Sequence, residues 1–195
     1  MDLRNLFRAL AEAYDGPETI ERLAQDALLS ADCETQVSYH ANALPAPFLG
    51  VMAEADAHPV CKVIAGMPLP WAPPKTSSNP LYVEHSLPKV NVELLGPDGL
   101  VKSNSVRLGL YGMLPDFEYG IRTHPAEEVF VMLAGSVLWK RDFAPYKAHG
   151  PGQRSYHPSM MRHANKTEES AFLSTYVWVG DISTSSYEYA GIPTD

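Results

Sequence analysis

Proline is the residue that most restricts how this chain can fold, since 17 prolines occur among its 195 residues. Proline fixes its own φ angle and has no amide hydrogen, so it ends helices and is confined to the edges and ends of strands. Long helices are therefore excluded. We expect many turns and short strands around one core, because 45% of the residues are hydrophobic and the length is that of one domain.

Charge and composition exclude several classes of protein. The chain has 15 Lys and Arg residues against 23 Asp and Glu residues, a net charge of −8, whereas a nucleic-acid binder needs a basic face. Its hydrophobic content is too high for intrinsic disorder. No apolar run is long enough to span a membrane, and Met1–Arg8 does not resemble a signal peptide. We expect a cytoplasmic protein with neither a membrane nor a nucleic-acid partner.

The two cysteines, Cys33 and Cys61, lie far apart and form no CxxC pattern. This spacing indicates neither a disulfide scaffold nor a zinc finger. We expect two buried thiols in a reducing compartment.

The hydrophobic pattern divides the chain at about residue 80. Apolar residues recur at helical spacing in 3–14, in 20–28 and, interrupted at His58-Pro59, in 47–66. Residues 67–80 contain five prolines and are expected to form a loop that wraps the surface or covers a site. From about Leu81 the period becomes two, with strands expected over 90–94, 105–111, 128–133, 136–141, near Tyr156 and over 172–179. We therefore predict a mainly β protein in which a helical layer (1–80) packs on a β-barrel (81–195) as one structural unit.

The candidate chemistry lies in two separated segments of the barrel. His124 is four residues before Glu128, and Arg122 is two residues before His124, so Arg122 and His124 share one side of a strand. We expect Pro125 to interrupt that strand and to return Glu128 to the same side. His163 enters from a different strand, and inward-facing residues of barrel strands can meet at one point.

This spacing resembles the two motifs of the cupin superfamily. In the first motif, G-x5-H-x-H-x3,4-E-x6-G, His124, Glu128 and Gly135 match, but Arg122 stands at the first His. In the second motif, G-x5-P-x-G-x2-H-x3-N, Gly152, Pro158 and His163 match, but Met160 stands at the second Gly. The resemblance implies a cupin fold, a double-stranded β-helix or jelly-roll barrel.

Two histidines and a carboxylate suit a divalent metal with open positions. That pattern is associated with non-haem iron, zinc also accepts it, and manganese is a further alternative. The competing interpretation is that Arg122 ends metal binding and pairs with Glu127 or Glu128. Among the remaining histidines, His157 is the best candidate for supporting the ligands, because it lies close to His163 in the chain.

A closer resemblance is to the cupin dimethylsulfoniopropionate lyases of the DddQ type. It is carried by the helical N-terminal layer, by Tyr-Gly-Met-Leu-Pro at 111–115, and by Glu118-Tyr119-Gly120 leading into Thr123-His124-Pro125-Ala126-Glu127-Glu128. The resemblance implies cleavage of a small zwitterionic acid to dimethyl sulfide and acrylate by β-elimination. It implies metal ligation by His124, Glu128 and His163, and Tyr119 as the base. In that family a tyrosine follows the motif glutamate by two residues, where this chain has Phe130.

The remaining roles follow from what such a substrate would need. Arg122 could activate Tyr119 or pair with the substrate carboxylate, and aromatic side chains could hold the sulfonium cation. The candidates for this pocket wall are Tyr111, Trp139, Tyr176 and Trp178. The oligomeric state stays open, with a homodimer as one alternative, because cupins often pair through their sheets. Two other functions stay open, a different cupin enzyme (a dioxygenase or isomerase acting on a small carboxylate) and a non-catalytic module that binds a metabolite.

Overall fold

The computed structural model describes residues 2–193, which form a helical layer followed by a two-sheet barrel. The helices are Leu3–Ala11 (α1), Thr19–Ser30 (α2), Ala46–Met52 (α3), Val60–Ala65 (α4) and Pro80–Ser86 (α5). The strands are Lys89–Gly96 (β1), Val101–Lys102 (β2), Arg107–Met113 (β3), Glu118–Thr123 (β4), Glu127–Gly135 (β5), Val137–Arg141 (β6), Lys147–His149 (β7), Arg154–His157 (β8), His163–Lys166 (β9), Phe172–Val179 (β10) and Glu188–Gly191 (β11). The predicted mainly β fold with an N-terminal helical layer is confirmed.

The barrel consists of two facing sheets. One has six strands in the order β2-β1-β3-β10-β5-β8, and the other has five in the order β11-β4-β9-β6-β7. Neighbouring strands are antiparallel except β1 and β2. Because side chains alternate along a strand, each strand of the larger sheet has one face toward the helices and one toward the barrel interior.

The helical layer covers the outer face of the six-stranded sheet. Leu3, Leu6, Phe7 and Leu10 of α1 are buried, and they belong to one hydrophobic cluster with outward-facing residues such as Val129 of β5. Full burial of each large apolar side chain contributes about 1.5–3 kcal/mol to stability. Packing of this layer therefore fixes the position of β5 and β10, the two strands that carry Glu128 and Trp178.

Arg154 of β8 also ties the helical layer to the barrel. Its guanidinium donates to Oε1 of the buried Glu21 at 2.9 Å and to the Ala13 carbonyl at 3.1 Å, and it pairs with Asp15. A charged pair in this position is costly to break, because it would leave the Glu21 carboxylate buried without a partner.

The change to strand period occurs later than the sequence predicts. Residues 80–86 form helix α5 rather than the start of a strand, and the first strand begins at Lys89. The helix forms here because the Asn79 side chain accepts hydrogen bonds from the amides of Leu81 and Tyr82, and because Pro80 occupies a favourable first helical position. Our prediction of alternation from Leu81 is therefore wrong by eight residues.

Several local expectations are confirmed. The 47–66 region contains two helices, α3 and α4, on either side of the predicted interruption. The prolyl segment 67–80 contains no helix or strand before α5, and it pairs through an isolated bridge between Ala72 and Asn91 of β1. Both cysteines are buried and unpaired. Within residues 2–193, no helix has both the length and the apolar character that a membrane span requires.

The motif glycine that closes β5 is required by its backbone. Gly135 has a φ of 68°, and a Cβ there would lie 1.9 Å from the carbonyl oxygen of Ala171. Met160, which stands at the second glycine of the second motif, has a left-handed backbone with a φ of 63°. This is a conformation that glycine adopts more readily than other residues.

Candidate metal centre and its cavity

His124 and His163 lie in the barrel interior with the same hydrogen-bonding arrangement. Nδ1 of His124 is 3.0 Å from the Ala126 carbonyl, and Nδ1 of His163 is 2.9 Å from the Met161 carbonyl. A carbonyl only accepts hydrogen bonds, so Nδ1 carries a proton in each ring, and in a neutral ring Nε2 carries the lone pair. Both rings are about 2% exposed, and burial, with the charge of Arg122, holds the pKa of His163 well below its usual range.

Glu128 faces both of these nitrogens. Its Oε2 atom is 3.3 Å from Nε2 of His124 and 3.3 Å from Nε2 of His163. Burial opposes its ionisation, but the histidines around it hold its pKa well below the usual range. One ligand atom from each of the three residues lies within 4.8 Å of the others.

The three residues fit a cation. Neither Nε2 atom has a hydrogen-bond partner among residues 2–193, although each is buried, and an unpaired buried polar atom is costly. Two lone pairs directed at a carboxylate are unfavourable unless a positive ion lies between them. His124, Glu128 and His163 could therefore hold a metal ion.

Trp178 and His157 fix the orientation of the Glu128 carboxylate. The Trp178 indole nitrogen donates to Oε1, and the Trp178 ring stacks on His124 with centroids 4.1 Å apart. Nδ1 of His157 is 3.1 Å from Oε2, and Nε2 of His157 is 2.8 Å from the Ser155 hydroxyl. His157 is fully buried, and burial lowers its pKa to about 4. The two contacts are typical of side chains that orient metal ligands.

The strands bring these side chains together differently from the sequence prediction. Arg122 belongs to β4 of the five-stranded sheet, whereas Glu128 belongs to β5 of the six-stranded sheet. Glu128 therefore meets His124 because the chain crosses from one sheet to the other between Thr123 and Glu127. Glu128 comes to face the same side as His124, as predicted, but it does so from the facing sheet.

Arg122 does not pair with either neighbouring glutamate. Its guanidinium donates to the Asn165 side-chain oxygen at 3.1 Å and approaches the Gly120 carbonyl at 3.5 Å. It lies over the rings of Tyr119 at 4.1 Å and Trp139 at 5.3 Å. Within residues 2–193 it forms no ion pair, so the competing interpretation of a pair with Glu127 or Glu128 is wrong.

Tyr119 lies beside Arg122 because the pairing of β4 with β9 is irregular between the two residues. Its hydroxyl forms a hydrogen bond with the Tyr187 hydroxyl, and the amine of Lys89 lies 3.0 Å from its ring centroid. Burial raises the pKa of Tyr119 well above its ordinary value, and the charge of Arg122 partly opposes this. Tyr119 is therefore a neutral phenol in the absence of a ligand.

The Glu128 carboxylate opens onto a cavity of about 510 Å³. Of the predicted wall residues, Tyr111, Tyr176 and Trp178 line it, together with Phe130. Trp139 lies behind Phe130, with ring centroids 4.6 Å apart, and is not among the lining residues. The prolyl segment contributes a further part of the wall, formed by Pro70, Ala72, Pro73, Pro74, Lys75 and Thr76.

Sequence reasoning did not identify Tyr187, Lys89 or Asn165. Lys89 had a usable signal, because alternation along β1 places it with Asn91 and Glu93 on the face opposite Val90 and Val92. Tyr187 lies in the connection before β11, where no periodic pattern marks its direction. Asn165 is two residues from His163 on β9 and could have been placed on the same inward face.

Comparison with known proteins identifies relatives of this arrangement. A sequence model of dimethylsulfoniopropionate (DMSP) lyase matches residues 69–174, more than half of the chain. The chain is 33% identical over 92 residues to dimethylsulfoniopropionate lyase DddQ of Ruegeria pomeroyi. That alignment covers 47% of this chain and 46% of the relative, so the chain spans about half the length of that curated relative.

Two solved structures have a similar fold. A crystal structure described as that of the DMSP lyases RdDddP and RnDddQII has a TM-score of 0.71 at 21% identity, covering 96% of this chain and 97% of that chain. The crystal structure of DMSP lyase DddQ from Ruegeria pomeroyi DSS-3 has a TM-score of 0.66 at 20% identity, covering 95% and 96%. At sequence identities of 20–21%, the similarity to these two structures is evidence of a shared fold only.

Proposed function

This chain belongs to the dimethylsulfoniopropionate lyase family, and from that premise we propose that it cleaves dimethylsulfoniopropionate to dimethyl sulfide and acrylate by β-elimination. The observation that carries the proposal is the pair of unpartnered Nε2 atoms of His124 and His163 facing Glu128 at the wall of an aromatic cavity. The reaction needs a site for a carboxylate, a base for the α-proton and a surface for a cation. The following residues meet each need.

We propose that His124, Glu128 and His163 hold a divalent ion, zinc or iron, with manganese as the alternative. When bound, such an ion supplies Lewis acidity, which stabilises negative charge that develops on the substrate carboxylate. The protein's part is to orient the two imidazoles, through the carbonyls of Ala126 and Met161, and to orient the Glu128 carboxylate.

The substrate carboxylate is bound by Arg122. The guanidinium is fixed by Asn165 and by the rings of Tyr119 and Trp139, so little side-chain entropy remains to be lost on binding. Its planar fork of N–H donors matches a carboxylate. Arg122 and Glu128 line the same cavity, so a small acid held by Arg122 lies next to the ligand cluster.

Tyr119 Oη is the proposed acceptor of the α-proton. Its hydrogen-bond partner Tyr187 also lines the cavity, so the pair can pass a proton between their oxygens. The buried hydroxyl is a poor base by itself, because burial raises its pKa. Arg122, 4.1 Å from the ring, is the neighbouring cation that favours the phenolate.

The sulfonium end of the substrate would lie against aromatic faces. Tyr176 and Phe130 are cross-strand neighbours on β10 and β5, and both line the cavity with Tyr111. Aromatic faces attract cations and displace water from them. The aromatic wall also limits the access of water to a carbanion-like species.

The test is a headspace assay with metal-loaded protein. Zinc-loaded and iron-loaded samples are incubated with dimethylsulfoniopropionate, and dimethyl sulfide is measured by gas chromatography beside metal content by elemental analysis. We expect product from the native protein and loss of both metal and product in His163→Ala. His40→Ala, an exposed histidine, is the matched control and should retain both.

A second function is favoured by one observation. Phe130 stands where the family has a tyrosine, and a phenyl ring cannot ligate a metal or transfer a proton. If the metal-loaded protein binds dimethylsulfoniopropionate in calorimetry but releases no dimethyl sulfide, the chain is a metabolite-binding cupin. If it consumes oxygen with another small carboxylate, it is a different cupin enzyme.

Assembly and location extend the proposal. The two buried, unpaired cysteines, Cys33 and Cys61, are typical of a reducing compartment, which supports action in the cytoplasm. The homodimer stays a prediction, and sedimentation equilibrium of the full chain tests it.

A further inference from the structure

Among residues 2–193, Arg122 is a buried cation that forms no ion pair with an anionic side chain. The residue is 3% exposed, and its guanidinium donates hydrogen bonds to two neutral oxygens, those of Asn165 and Gly120. The aromatic faces of Tyr119 and Trp139 offset part of the lost hydration. A buried charge that has no counter-ion carries a large desolvation cost.

The one carboxylate of the ligand cluster is already engaged. Oε1 of Glu128 accepts from Trp178, and Oε2 lies 3.1 Å from Nδ1 of His157 while facing the two ligand imidazoles. Its single negative charge is therefore directed at the metal position, and it reaches Arg122 only through space, without a direct ion pair. A divalent ion there, one carboxylate and one guanidinium leave the inner cavity with two positive charges in excess.

Position 122 carries a neutral imidazole in the first cupin motif. Arginine at this position removes a ligand and adds a charge of the same sign as the metal. Like charges repel strongly in a buried, weakly polarisable site. Metal binding by this chain is therefore opposed by Arg122 until an anion enters the cavity.

We propose that Arg122 makes the metal centre dependent on a carboxylate, so that the ion and a small carboxylate bind cooperatively, with the carboxylate paired to the Arg122 guanidinium. The inference rests on the proposed function, in which the substrate supplies that carboxylate. It adds a specific property: the free protein binds metal weakly, and the acid that it processes completes the site.

Cooperative binding is reciprocal. If the carboxylate increases metal affinity by some factor, the metal must increase carboxylate affinity by the same factor. We expect a factor between about 5 and 150, the range of ordinary coupling free energies. Both halves of this relation can be measured without any turnover.

The experiment measures zinc affinity by competition with a chromophoric chelator, with and without propionate at constant ionic strength. Propionate has the carboxylate but no leaving group. Native protein should bind zinc at least about fivefold more tightly in saturating propionate, and calorimetry should give the same factor for propionate binding with and without zinc.

Two substitutions at position 122 define the role of the charge. Without propionate, Arg122→Gln should bind zinc more tightly than native protein, because one repelling charge is gone. In saturating propionate, the native protein should bind zinc as tightly as Arg122→Gln or more tightly. Arg122→His restores the imidazole of the motif and should bind zinc tightly in both conditions.

A third substitution keeps the arginine and supplies its counter-ion. The Asn165 side-chain oxygen is 3.1 Å from the Arg122 guanidinium, so Asn165→Asp places a carboxylate there with no change in shape. Zinc should then bind tightly without propionate, and the coupling factor should fall toward one. Thermal unfolding of each variant verifies that it is folded, and the aspartate variant keeps the test decisive if the glutamine variant is not.

The outcomes separate this inference from the proposed function. The carboxylate requirement is overturned if propionate does not change the zinc affinity of the native protein. It is also overturned if the coupling factor of Asn165→Asp equals that of the native protein. Neither outcome bears on whether the protein cleaves dimethylsulfoniopropionate. Strong coupling without release of dimethyl sulfide supports the requirement and removes the lyase function.

Discussion

The indole nitrogen of Trp178 donates a hydrogen bond to Oε1 of Glu128. Trp178 and Glu128 are directly paired across β10 and β5, so the contact is built into the sheet register. The same indole ring stacks on His124. One aromatic side chain therefore orients two of the three candidate metal ligands, and several measurable consequences follow from this and related contacts.

Trp178→Phe should weaken metal binding by about 10-fold to 100-fold, because it keeps the ring on His124 but removes the donor to Glu128. Zinc affinity by chelator competition measures this. Trp139→Phe is the matched control, since the Trp139 indole nitrogen has no partner among residues 2–193. Equal effects of the two substitutions would contradict the role of the hydrogen bond.

His157→Leu should also weaken metal binding, again by about 10-fold or more, because Glu128 loses its second orienting donor. His157→Asn should recover much of this loss, since the asparagine amide can stand where Nδ1 stands and donate to Oε2. The prediction fails if both variants bind zinc alike. Ser155→Ala, which frees Nε2 of His157, should have a smaller effect of the same sign.

Phe130→Tyr should raise the turnover of dimethylsulfoniopropionate by about 10-fold or more, because a positioned proton-transfer group commonly contributes at least that factor. Phe130 lines the cavity and is the cross-strand neighbour of Tyr176, so the added hydroxyl enters the site. Phe130→Leu controls for the change in packing. A tyrosine variant no faster than native protein would show that the missing hydroxyl does not limit the reaction.

Arg154→Met should lower the free energy of unfolding by about 2–4 kcal/mol, because Glu21 would be left buried and unpaired. The estimate is in the lower part of the range for buried pairs, since the Arg154 side chain is 26% exposed. Urea unfolding measures it. Arg4→Met breaks an exposed ion pair with Glu34 and should change stability by less than about 1 kcal/mol. If Arg154→Met and Arg4→Met lower the free energy of unfolding equally, the contacts of Arg154 between the helical layer and the barrel contribute no more than an exposed ion pair.

Lys89→Met should stabilise the protein at pH 7 by an amount on the order of a few kcal/mol. Burial, with a contribution from Arg122, lowers the pKa of Lys89 to about 5, so the amine is neutral in the fold but protonated in the unfolded chain. Native stability therefore falls as the pH decreases from about 10 toward 5. The gain from the substitution should be large at pH 6–7 and shrink toward pH 10. Lys62→Met, at an exposed position of α4, should show no such trend.

Local patterns predicted most of the architecture. The apolar stripe from Leu3 to Leu10 forms α1, and the run 172–179 forms β10 with the predicted bounds. The spacing of apolar residues predicts these elements correctly because each of them buries one face. The start of the barrel was misplaced because Asn79 and Pro80 initiate a short helix, and a capped seven-residue segment leaves too little periodicity to separate helix from strand.

The sequence by itself determined the residue types of the site. Motif spacing identified His124, Glu128 and His163, because a two-sheet barrel directs these positions inward whatever the surrounding side chains are. It also showed the departures at Arg122 and Phe130, and it marked His157 as a supporting residue.

Only the tertiary structure decided what those residues contact. Arg122 meets Asn165 rather than a glutamate, because β4 and β9 are neighbours in the smaller sheet while Glu128 lies in the larger one. Tyr119 meets Tyr187 because a loop distant in sequence returns to the barrel interior. Such partners are set by strand order and loop return, which depend on the packing of the whole chain, so no local pattern encodes them.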